Sequence, residues 1–313
     1  MRFLYILYCL MVFSASIFGQ NLAADFDGDG KADISVFRPS NGFWYIMKSS
    51  GGYSSIQWGQ RDDLLVPGDY DGDGRTDLAV YRGGALVNGY IGVADNTWYI
   101  LRSSDNTYIA RQWGRRSAYE FDIPAPADYD GDGKTNLAVY DDQDVGGAPS
   151  YFKILQGSTN SGVERQWGAS WDKRVPADYD GDGKADLAVY RDGIWYILQS
   201  STNTMRVERF GLPTDKLVPA DYDGDGKADI AVWRPSNGFW YRINSSNGSF
   251  YAQQFGAAED KPVPADYDGD GKTDIAVFRP STGVWYLQQS TQGFLAQPFG
   301  FGDDIPIPNV FVR

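Results

Sequence analysis

The sequence predicts an all-β fold, a propeller of six four-stranded blades. Three observations predict it. The phrase "ADYDGDGKADLAVYR" (177–191) recurs six times in close variants, its first loop Asp falling at Asp25, Asp69, Asp128, Asp178, Asp221 and Asp266. The steps of 44, 59, 50, 43 and 45 residues suit one supersecondary unit per repeat. After residue 20 no stretch keeps a helical period. Short runs rich in Val, Ile, Tyr, Phe and Trp are instead bounded by Gly, Ser, Asn and Pro.

The elements follow in a fixed order. A lead-in such as "VPADYD" gives the first strand, and an acidic loop joins it to an apolar second strand such as "IAVF". That run is apolar at consecutive positions, as a strand buried on both faces should be. A "PSNG" turn leads to a third strand, "FWYI" or "IWYIL". A polar Ser/Asn turn then leads to a fourth strand ending in "QWG" or "QFG". Closing the sheets into a ring protects their edges. At the chain end "DIPIPNVFV" (304–312) repeats the lead-in of "DKPVPADYD" (260–268), with Val310 in place of the first loop Asp. It is expected to close the ring against the first unit, whose own lead-in is cut to "NLAAD". A truncated seventh blade is the alternative.

Residues 1–20 read as a signal peptide: Arg2, an apolar run Phe3–Phe13, then small residues from Ser14 to Gly19. A retained anchor is the alternative, although the run is short for a membrane span. Cys9 is the only cysteine, so the mature propeller, expected over residues 21–313, has no disulfide. A secreted or cell-surface monomer follows, with no membrane insertion of the mature chain. The net charge of −13 argues against nucleic acid as a partner.

The acidic loop carries oxygen ligands at positions 1, 3, 5, 7 and 9, with glycine at 6 for the turn. The candidate metal sets are Asp25, Asp27, Asp29, Lys31 and Asp33; Asp69, Asp71, Asp73, Arg75 and Asp77; and Asp128, Asp130, Asp132, Lys134 and Asn136. The later units give Asp178, Asp180, Asp182, Lys184 and Asp186; Asp221, Asp223, Asp225, Lys227 and Asp229; and Asp266, Asp268, Asp270, Lys272 and Asp274. The Lys and Arg members would ligate through their backbone carbonyls only. A hard cation of flexible geometry suits such a set, calcium better than magnesium. Valine, not glutamate, stands at position 12 of every copy, so the loop is not that of a helix–loop–helix site. About six ions are expected, and they would bring the leaderless chain from about −14 to about −2.

These residues resemble the FG-GAP (VCBS-type) repeat, known from integrin α-subunit heads and secreted bacterial proteins. Phe255-Gly256, the loop from Asp266 to Asp274, and Phe278-Arg279-Pro280 stand where that family has Phe-Gly, its acidic loop and Gly-Ala-Pro. The resemblance covers nearly all of residues 21–313 and implies a calcium-bearing propeller. It does not imply integrin function, because the other integrin domains are absent.

Recurring side chains are expected to be structural. Trp44, Trp98, Trp195, Trp240 and Trp285, with Phe152 in the third unit, should pack between blades. Arg38, Arg82, Arg191, Arg234 and Arg279 should pair with acids or stack on rings. Asp63, Asp122, Asp172, Asp215, Asp260 and Asp304 read as turn formers. Residues that break the repeat are better binding candidates. The third unit has Asn136 at loop position 9, Asp141 in the Arg place and Phe152 in the Trp place. Asn136 is expected to ligate through its carbonyl oxygen, more weakly. The second and third units insert "GGALVNGYIGVADN" and "DQDVGGAPS" between strands two and three. Tyr90, Asp95, Asn96, Asp141, Asp142, Asp144 and Trp171 therefore form the candidate ligand site.

No catalytic residue is assigned. With no histidine and no mature cysteine, the commonest general base and a common nucleophile are missing. The leading expectation is a non-catalytic module binding a glycan or an extracellular protein. A purely structural surface role and a polysaccharide lyase or hydrolase are the alternatives.

Overall fold

The computed structural model describes residues 24–83, 94–116, 120–143, 146–157 and 159–307. It is an all-β propeller of six four-stranded antiparallel blades. The segment read as a signal peptide and Val310 lie outside the described residues.

Blade four shows the plan. Lys173–Arg174, Leu187–Arg191, Ile194–Leu198 and Met205–Arg209 pair in that order, each strand antiparallel to the next. The first strand is short because Pro176, which has no N–H to donate, follows it, although the Val175 amide still donates to the Ala188 carbonyl at 2.9 Å. Pairing resumes between Ala177 and Asp186, which bracket the acidic loop, so that loop joins strands one and two as expected. The second strand is buried at four consecutive positions, the third buries alternate residues, and the fourth is largely exposed. Burial thus falls from the second strand to the fourth. Blades two and three are continuous through one pairing, Arg116 with Phe121.

The chain end closes the ring, and the alternative of a seventh blade falls. Ile305–Pro306 pairs with Phe37 and Val36 of the first blade, and the Ile307 amide donates to the Ser35 carbonyl. The amino-terminal side supplies the rest of that strand: the Asp33 amide donates to the Ala24 carbonyl.

The recurring aromatics are core. Trp44, Trp98, Trp195, Trp240, Trp285 and Phe152 are buried. Each of the five indoles donates to a carbonyl at the end of its fourth strand, Trp195 to Phe210 at 3.0 Å for example. The turn before the third strand needs glycine. Gly238 has φ +70°, and a Cβ there would lie 2.4 Å from the Gly256 carbonyl oxygen.

Each recurring arginine makes a two-point ion pair with the recurring aspartate, as Arg234 Nε and Nη2 do with Asp215 at 2.8 and 2.9 Å. Arg38–Asp304, Arg82–Asp63, Arg191–Asp172 and Arg279–Asp260 repeat it. The guanidinium also lies over a tyrosine ring, 4.6 Å from the Tyr241 centroid in the same case. The aspartates form turns as well, Asp215 accepting the Leu212 amide at 2.9 Å. Both expectations therefore hold at one residue pair.

Blade three exchanges the charges. Asp141 replaces the arginine, and Lys153 occupies the place of the tyrosine. The Lys153 ammonium lies 3.2 Å from both Asp141 and Asp122. Burial pushes Lys153 down, but the two carboxylates outweigh it and hold the ammonium above its ordinary range. Replacing it (Lys153→Met) would strand two buried carboxylates and should cost about 3 kcal/mol in urea unfolding. Pairing Lys153→Tyr with Asp141→Arg should recover most of that loss.

Candidate metal centre and the surface beside it

In blade four the acidic loop is organised by its own amides. Asp178 accepts the amides of Gly181 and Gly183 at 2.6 and 2.8 Å, one on each oxygen. Both glycines sit at φ above +80°, which this tight turn requires. Asp186 accepts the Tyr179 amide at 3.0 Å and the Ser200 amide at 2.7 Å. Asp182 accepts the Lys184 amide and the Ser200 hydroxyl, and Asp180 Oδ2 accepts the Ser201 hydroxyl at 2.7 Å. One atom is left over: Asp180 Oδ1 is buried without a hydrogen-bond partner. The same position-3 oxygen is orphaned in Asp27, Asp223 and Asp268.

A buried carboxylate oxygen with no donor costs free energy. The same fault in four loops points to a missing positive partner. In blades one to five, three carboxylates of each loop bring ligand atoms within 4.8 Å of one another. Burial pushes Asp33, Asp77, Asp186 and Asp274 up to about 6. Oxygen-only donors, several of them charged, fit a divalent cation of the calcium type. Positions 1 and 3 meet position 5 in the loops of Asp25, Asp128 and Asp221, and position 9 in those of Asp69 and Asp178.

Two features of these loops went unread in the sequence. The first is a pair of hydroxyl residues after the third strand. Ser50, Ser104, Ser201, Ser246 and Thr291 donate to the position-3 aspartate at 2.5–2.7 Å. The repeated Ser-Ser at constant spacing was the available signal. The second is a ring that ties each loop to the preceding one. The amides of Ala32, Thr76, Thr135, Ala185, Ala228 and Thr273 donate to the carbonyls of Asp266, Asp25, Asp69, Asp128, Asp178 and Asp221, at 2.6–2.7 Å. The basic side chain at position 7 lies along the preceding loop's first glycine, as Lys184 does at Gly131 and Lys31 at Gly269. Lys134 Nζ adds a bond to the Asp71 carbonyl at 2.8 Å. A basic residue at position 7 of every copy was the signal for that contact.

The candidate ligand residues are dispersed in their settings. Tyr90 and Asp144, and the side chain of Asp142, lie outside the described residues. Asn96 is buried and donates to the Tyr81 hydroxyl, and Asp141 is buried in the pair with Lys153. Asp95 is exposed on its strand. Trp171 is 70% exposed, at φ +73°, and its ring lies against Gly146 of the blade-three insertion, where a Cβ would meet it at 2.4 Å. Among the described residues no helix is long and apolar enough to cross a membrane.

The family model of the FG-GAP-like repeat matches residues 25–80 and 221–277. No curated protein matches the sequence significantly. Similar solved structures include virginiamycin B lyase from Staphylococcus aureus in a catalytically inactive form with quinupristin (8% identity, 93% of this chain and 96% of that one, TM-score 0.47). A streptogramin B lyase is similar at 10% identity (91% and 87%, TM-score 0.47). AofleA from Arthrobotrys oligospora is similar at 12% (92% and 90%, TM-score 0.46). Identities this low carry no activity over to this chain.

Proposed function

We propose that this FG-GAP repeat propeller is a secreted, calcium-stapled scaffold that binds a glycan, or a protein of the cell surface, without transforming it. The orphaned position-3 oxygens of four loops are the observation that carries the calcium part. Positions 1, 3, 5 and 9 would hold the ion, whose contribution is charge compensation and cross-linking of each loop. Such staples suit an extracellular setting, where calcium is abundant and this chain offers no disulfide.

Trp171 supports the binding part. A bulky residue at positive φ stores strain of about 1–3 kcal/mol, and such strain clusters at functional positions. With its ring against Gly146 and most of its surface exposed, Trp171 offers an apolar platform for the face of a sugar. A glycan array in millimolar calcium should give hits that Trp171→Ala loses by tenfold or more. The variant should keep the wild-type unfolding midpoint, because the side chain is exposed. Release of reducing ends or unsaturated products from an array polysaccharide would sink the non-catalytic reading.

A further inference from the structure

We propose that the acidic loop of blade three is closed by the side-chain amide of Asn136 in place of a cation, so that the protein binds five calcium ions and not six. The inference rests on the calcium reading of the other five loops and corrects the expectation that Asn136 ligates through its carbonyl oxygen.

In the structure Asn136 is oriented by the Tyr129 amide. The Tyr129 amide donates to Asn136 Oδ1 at 2.7 Å, the bond that the Tyr179, Tyr222 and Tyr267 amides make to Asp186, Asp229 and Asp274. An N–H cannot donate to an amide nitrogen, so Oδ1 is committed there and Nδ2 must take the other place. In the other blades that place belongs to a carboxylate oxygen, as in Asp186 Oδ1.

Nδ2 then donates to Asp130 Oδ1 at 3.2 Å. Asp130 stands at position 3, and the equivalent Oδ1 of Asp27, Asp180, Asp223 and Asp268 has no partner. The atom left for a cation in those loops is therefore bonded in this one. An amide nitrogen is no ligand, and its hydrogens set partial positive charge where the ion would sit. Turning the amide over would free Asp130 but aim the NH2 at the Tyr129 amide. Either orientation loses a bond. The loop also has three carboxylates instead of four, which weakens its pull on a divalent ion.

A second departure agrees. Ser103, Ser200, Ser245 and Ser290 donate hydroxyls to the position-5 aspartate of their loops. Gly157 holds that place in blade three, where a Cβ would lie 3.1 Å from Asp132 Oδ2. The hydroxyl that braces the position-5 ligand is missing together with the position-9 carboxylate.

Equilibrium dialysis of the whole protein against radioactive calcium tests this by stoichiometry. Wild type should saturate at five ions, Asn136→Asp at six and Asp186→Asn at four. Six in the wild type, or five in Asn136→Asp, would overturn the proposal and leave the calcium reading of the fold intact. No saturable binding in any form would overturn both. Thermal unfolding gives an independent sign: Asn136→Asp should melt below the wild type in EDTA and above it in saturating calcium. Lower midpoints under both conditions would count against the proposal.

Discussion

Chelation with EDTA lowers the midpoint of thermal unfolding by about 10–20 °C, and millimolar calcium restores it. The size follows from linkage. Extracellular calcium modules dissociate at about 0.1–1 mM. Tenfold saturation stabilises each site by about 1.4 kcal/mol, and five such sites by about 7 kcal/mol. Domain stability as a whole is about 5–15 kcal/mol, and 1 kcal/mol moves the midpoint of a large domain by about 2 °C. The structure gives the reason for the loss. Without the ion, orphaned oxygens such as Asp180 Oδ1 are buried beside like charges, and the ring of amides links every loop to the next. Magnesium should restore less, because it prefers a smaller octahedron and keeps its water. An unchanged midpoint in EDTA would mean that the loops are plain Asp-Gly turns.

The fold was legible because each unit writes the same strand order. Where five of the six copies agree, as at the indoles of Trp44 and Trp195, repetition itself marked packing, and both are buried. The ion-pair system was half legible: Arg234 and Asp215 each recur, but nothing in their spacing says that they meet across a blade. The acidic loops were legible in residue type and order, and the structure gathers three carboxylates in each of five of them. Their bracing was less so, because the hydroxyls of Ser200 and Ser201 lie some twenty residues away in sequence. Departures were the hardest to read. Asp141 in an arginine place read as a ligand-binding candidate. Only the fold reveals Lys153 in the tyrosine place, holding the Asp141 carboxylate inside the blade. Asn136 read as a ligand through its carbonyl oxygen, because composition does not tell which end of an amide faces the loop; in the structure Nδ2 donates to Asp130. Trp171 was found by its failure to repeat, and its backbone strain became visible only in three dimensions.

Deleting residues 304–313 abolishes the cooperative unfolding transition, whereas Asp304→Ala lowers stability by about 2–4 kcal/mol and leaves the protein folded. The deletion removes the strand that joins the last blade to the first. Asp304 is fully buried, pairs with Arg38 at 2.8 and 2.9 Å, and accepts the Phe301 amide. Ile305–Pro306 covers the ladder edge of Ile34–Arg38, and Ile307 is buried against Phe37 and Leu65 in one cluster. Breaking a buried ion pair costs about 3–5 kcal/mol, which we lower to about 2–4 because the Arg38 side chain keeps 21% exposure. A buried isoleucine contributes about 1.5–3 kcal/mol, and each lost backbone bond about 1 kcal/mol. Together these approach the whole net stability of a domain. Asp215→Ala serves as the internal control. It removes the same kind of ion pair from blade five, but the chain still runs covalently through both neighbouring blades. Its loss in urea unfolding should match that of Asp304→Ala, while limited proteolysis from the carboxyl terminus should accelerate only in Asp304→Ala. If the deleted protein melts at the wild-type midpoint, closure must instead reside in the Ala24–Asp33 pairing and the ring of loop amides. The terminal strand would then be dispensable.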